Sequence, residues 1–130
     1  MTDLLISFTN FYIMDYKFIK TEYLESVTGG DNETIKELVD MFRDQVAEIG
    51  LEMRTLLLRN DYHALGMLAH KAKSSVAIMG MNDLANILKT FELQAKESKE
   101  INKYEMYISR YEQDTKGAIK ELEYYVCNLK

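Results

Sequence analysis

Between Ile35 and Leu56 apolar residues recur in steps that alternate between four and three: Ile35, Val39, Phe42, Val46, Ile49, Met53 and Leu56. A strand would alternate every second residue, so this spacing fits a helix, and its regularity marks a seam against near-parallel neighbours. Asp31 and Asn32, following Gly29 and Gly30, offer the N-cap. The seam then predicts a helix of about 27 residues, roughly 40 Å long, with Gly50 as its weak point. The chain contains no proline, so no residue forces such a helix to break.

Three further apolar faces follow. Asn60 and Asp61 supply a turn and cap before Leu65, Leu68, Ala69, Ala72, Val76 and Met79, and Gly80 closes that helix. Asn82 and Asp83 are expected to cap a third helix carrying Leu84, Ile87, Leu88, Phe91 and Ala95, with the polar run Lys96 to Glu100 as its exit. A fourth seam runs Ile101, Tyr104, Ile108, Tyr111, Thr115, Ala118, Leu122, Tyr125 and Leu129. The joins are short, so the expected fold class is all-α: an antiparallel up-down-up-down four-helix bundle, with a brief helix around Lys20 to Val27 lidding one end. Residues 1–19 are expected to be an N-terminal extension, partly irregular, and residues 20–130 the bundle. Met14 opens a second plausible start.

Composition narrows what such a bundle can do. With 130 residues, 47% of them apolar, the chain forms one domain and needs neither disulfide nor metal to hold its core. Sixteen Lys and Arg against 21 Asp and Glu give a formal charge of -5, which opposes the phosphate attraction on which nucleic-acid binders depend. The most apolar stretch, Leu4 to Met14, is too short to span a bilayer and is interrupted by Ser7, Thr9 and Asn10. The lone Cys127 is expected to be a small, buried or half-buried side chain, and its isolation fits a reducing cytoplasm. A monomer is the expected state, although the tyrosine-rich seams could also serve a dimer.

One side chain has no packing reason to be where it is. At about 100° per residue, His70 points roughly 140° away from Leu65, the centre of its helix's apolar face. Around it on the same face lie Gly66, Lys73, Ser74 and Ala77, mostly too small to shield it. Gly66 costs about 1 kcal/mol relative to alanine inside a helix, so something comes close there, either a neighbouring helix or a docking protein. Lys73, one turn along, disfavours imidazolium and so favours a ring with a free nitrogen lone pair. Neutral imidazole is a nucleophile, and an adjacent lysine offsets the negative oxygens of an incoming phosphoryl group. Metal chemistry is not legible: neither His63 nor His70 has a glutamate three residues before it, and about 10 Å of helix rise separates the two.

The stretch Ala69-His70-Lys71-Ala72-Lys73-Ser74-Ser75-Val76-Ala77-Ile78-Met79-Gly80 resembles the signature of histidine-containing phosphotransfer (HPt) domains. Asn60-Asp61-Tyr62, Met81-Asn82-Asp83-Leu84-Ala85 and Phe91-Glu92 resemble the family's flanks, and Ala72 and Ser74 stand where leucine and glycine are frequent. The resemblance implies a phosphorelay intermediate without kinase activity. In that role His70 takes a phosphoryl group from an aspartyl phosphate on a response-regulator receiver domain and passes it to another. Lys73 would compensate the phosphoryl charge, while Gly66, Ser74 and Ala77 allow close approach and Met67 and Ile78 offer apolar docking contacts. No cofactor is implied, since the Mg²⁺ that assists transfer belongs to the receiver. The implied partners are receiver domains and a sensor or hybrid histidine kinase. A receiver-binding adaptor that accepts no phosphate is the alternative, and a small-molecule enzyme would need a cavity lined by His70.

Overall fold

A computed structural model describes residues 16–129. Every regular element among them is helical: α1 Thr21–Thr28, α2 Asn32–Leu58, α3 Tyr62–Ile78, α4 Asn82–Lys96, a 3-10 turn Ile101–Lys103, and α5 Tyr104–Cys127. The fold is therefore all-α, as the seams predict. The carboxylate of Asp31 accepts from the Thr34 N–H at 3.0 Å and starts α2, and Asp61 does the same for Ala64 at 3.3 Å in α3. Gly29 ends α1 and Gly80 leads away from α3, both with the positive φ that glycine tolerates, 70° and 76°.

Two expected boundaries shift. The residue capping α4 is Met81, which makes no side-chain cap bond, and Asn82 is already helical; the Met81 side chain is buried in the core instead. The fourth seam opens with a tighter turn. Ile101 lies in the 3-10 segment and is exposed, and the buried series begins at Tyr104.

Antiparallel packing shows in the pairs that meet across each interface. Gly66 faces Lys96 while Lys73 meets Glu92, and Arg43 pairs with Glu123 while Arg54 pairs with Glu105. Helices α2 and α4 each pack between α3 and α5, closing a four-membered ring around one core. Ile35, Phe42, Ile49 and Met53 of α2 meet Leu65, Ala72 and Val76 of α3, Leu88 and Phe91 of α4, and Tyr104, Ile108, Tyr111 and Leu122 of α5 there. The larger polar rings are satisfied as they enter it: the Tyr104 hydroxyl donates to the Gln94 carbonyl at 3.0 Å and Tyr107 to the Gln94 side chain at 2.8 Å.

The last residues of the expected N-terminal extension are tied to the bundle. The N–H groups of Lys17, Phe18 and Ile19 donate to the Glu121 carboxylate at 2.7, 2.9 and 3.1 Å. Ile19 is buried, and the Phe18 ring fills the space a side chain at Gly117 would take. These residues strap α5 to the end of α3, where the Lys20 N–H donates to the Met79 carbonyl at 3.0 Å. Their backbone donors and apolar side chains find partners on the bundle. Residues 1–15, including the second start at Met14, lie outside the described residues. Cys127 is exposed rather than half-buried, because it lies on the outer side of the last turn of α5, whose Tyr125 and Val126 pack against the core.

Candidate functional site

Helix α3 buries Leu65, Leu68, Ala69, Ala72 and Val76 and turns His70 outward. The imidazole side chain is 57% exposed. Its inner nitrogen is not free: Nδ1 lies 3.0 and 3.1 Å from the two carboxylate oxygens of Glu92 on α4. Glu92 is buried, with its side chain only 9% exposed. Lys96 Nζ donates to Oε2 at 2.8 Å and Lys73 Nζ to Oε1 at 3.3 Å. One buried carboxylate thus takes donors from His70, Lys73 and Lys96.

Burial alone would push the Glu92 carboxyl up. The hydrogen bonds from Lys96, His70 and Lys73, with the Lys73 charge, outweigh it and bring the group down to about 2. At neutral pH Glu92 is an ionised, acceptor-only group, so the proton between it and the ring belongs to Nδ1. In the neutral ring this fixes one tautomer and leaves the Nε2 lone pair pointing to solvent.

The other residues of the outer face divide. Met67 and Ile78 are exposed apolar side chains at 58% and 38%. Ala77 is half-buried, and the Ser74 hydroxyl donates back to the His70 carbonyl at 3.3 Å. Gly66 is not on the outer face: it is buried, and the backbone of α4 occupies the space beside it. Lys73 is 25% exposed and tied to Glu92 rather than standing free beside the ring. The sequence alone assigns no role to Glu92 or Lys96. A signal existed for the first, since Glu92 sits four residues after Leu88 and three before Ala95, on the apolar face of α4, where an acid needs partners. Neither of the clefts described, of about 250 and 460 Å³, is lined by His70.

The family model described as Hpt domain matches residues 37–120, which include all of α3 and α4. The chain belongs to the Hpt domain family. Domains of this family are phosphocarriers of two-component signalling, without kinase activity of their own, that interact with receiver domains and histidine kinases. No curated protein and no solved structure gives a significant match. No helix among the described residues is long and apolar enough to cross a membrane.

Proposed function

We propose that His70 accepts a phosphoryl group at Nε2 from an aspartyl phosphate of a receiver domain and passes it to the aspartate of another receiver, in the cytoplasm. The carrying observation is the ionised, buried Glu92 at Nδ1, which supports a nucleophilic lone pair on the exposed nitrogen. Attack of that lone pair on phosphorus forms the N–P bond as the P–O bond to the aspartyl carboxylate breaks, and the carboxylate leaves with the electron pair. The ring then carries the phosphoryl group on Nε2 and its proton on Nδ1, and the positive charge it gains faces Glu92. Transfer onward is the same step reversed on a second carboxylate.

Positioning and charge compensation carry most of such a transfer. Lys73 supplies the compensating cation by exchanging its long bond to Glu92 for the phosphoryl oxygens. Met67, Ser74, Ala77 and Ile78 surround the approach to His70 and form the docking face. The Mg²⁺ that assists transfer belongs to the receiver, and this chain contributes no cofactor.

The test is incubation with a phosphorylated receiver. Acid-labile, base-stable label is expected on the chain, and His70→Gln abolishes it with the helical content unchanged. Label retained by His70→Gln would place the acceptor elsewhere. Receiver binding without any transfer would favour the adaptor reading.

A further inference from the structure

Helix α4 presses its backbone against α3 at Gly66, one turn before His70. A Cβ built on Gly66 meets Lys96 Cγ at 2.8 Å, the Lys96 backbone nitrogen at 2.9 Å and the Glu92 carbonyl oxygen at 3.0 Å. Two of these three atoms are backbone, so turning a side chain cannot relieve the crowding. The same turn of α4, from Glu92 to Lys96, carries the carboxylate that holds His70 Nδ1 and the lysine that holds that carboxylate.

We infer that Gly66 is a positioning residue for phosphoryl transfer. Its missing side chain lets the Glu92–Lys96 turn seat closely enough on α3 for Glu92 to keep His70 in its Nδ1–H form. The functional half of this inference rests on His70 being the phosphoacceptor; the structural half concerns only the imidazole.

The geometry gives the sensitivity. Non-bonded atoms settle at about 3.5–4.0 Å, so a methyl group at position 66 displaces the α4 backbone by about 0.5 Å or more. The bonds from Nδ1 to Glu92 are already 3.0 and 3.1 Å long, and such bonds fade beyond about 3.2 Å. Glu92 does not simply extend to follow, because Lys96, on its own helix, holds Oε2 at 2.8 Å. Helix propensity works the other way, since alanine is the better helix former, so a loss at Gly66→Ala reports packing.

Gly50 is the control. It is also within a long helix, but a Cβ there meets only Tyr111 Cε2, at an ordinary 3.8 Å.

The experiment is ¹⁵N NMR of the His70 imidazole in the full chain, followed by single-turnover transfer from a phosphorylated receiver. Gly66→Ala is expected to convert part of the Nδ1–H signal to the Nε2–H form and to slow transfer by up to about tenfold, while Gly50→Ala changes neither. In a Glu92→Gln background Gly66→Ala should slow transfer no further. If Gly66→Ala does not fold, Glu92→Asp draws the carboxylate back by one methylene with Gly66 intact, and the same change of tautomer is expected. An unchanged imidazole signal in folded Gly66→Ala, or in Glu92→Asp where that is the variant that folds, overturns the inference. A tautomer shift in a chain that never takes label would instead leave the positioning intact and refute the acceptor role.

Discussion

The α3–α4 and α2–α5 interfaces face the same core and are held in opposite ways. Between α3 and α4 a glycine lets backbones nearly touch, and a buried carboxylate gathers donors from both helices. Between α2 and α5 the ionic contacts lie outside. Arg54 reaches Glu105 at 2.5 Å and Glu112 at 2.6 Å, both well exposed, and beside Gly50 the helices part into a cleft of about 460 Å³ lined by Val46, Ala47, Thr115 and Ile119. Exposed ion pairs stabilise by about 0–1 kcal/mol, whereas a buried charge is unfavourable unless fully paired. The buried clasp, unlike the outer one, reaches His70, whose Nδ1 donates to Glu92.

The largest expected break in this contrast is Phe91→Ala, next to Glu92. Phe91 is fully buried, with its ring centroid 5.3 Å from that of Tyr104 and 5.1 Å from that of Tyr107. Its loss should destabilise by about 3–5 kcal/mol in urea unfolding. On the other interface Tyr111→Phe, which removes only a 3.3 Å bond to the Val46 carbonyl, should cost about 1 kcal/mol.

Acid sharpens the comparison next. The Glu92 carboxyl sits at about 2 in the fold against an ordinary 4.5, so its contribution to stability is complete above about pH 4.5. It is lost as the pH falls through about 2. Unfolding midpoints measured from pH 5 to pH 2 should fall more steeply for the native chain than for Glu92→Gln. The same variant should slow phosphoryl transfer about tenfold, or ~1.4 kcal/mol of barrier. Lys73→Ala should slow transfer less and cost about 1 kcal/mol of stability, because it leaves the buried Glu92 carboxylate one donor short. The smallest effect belongs to the outer clasp: Arg54→Ala should cost about 1 kcal/mol or less, vanish in ~1 M salt, and leave the His70 imidazole signals in place.

The same contrast explains what could be read from the chain. Seams such as Ile35 to Leu56 are legible because one helix's periodicity is a local property, and His70 is legible because it points away from its own helix's seam. Glu92 is 22 residues from His70, and nothing local says that two helix faces will bring them together. Gly66 shows the same limit: the sequence marks a close approach there, but only the position of α4 decides that a helix, and not a docking protein, fills the space. Met81 is not legible as the residue capping α4 because Asn82 and Asp83 have better cap chemistry, and core burial of the methionine side chain prevails. The strap at Lys17 to Ile19 depends on Glu121, more than 100 residues away.

The central claim is that Glu92 reserves Nδ1 and leaves Nε2 for the phosphoryl group. Locating phosphorus on the ring by ³¹P and ¹⁵N NMR, after the chain takes label from a phosphorylated receiver, tests it most directly. Phosphorus bonded to His70 Nε2 is the expected result. Phosphorus on Nδ1, or on any other residue, would contradict it.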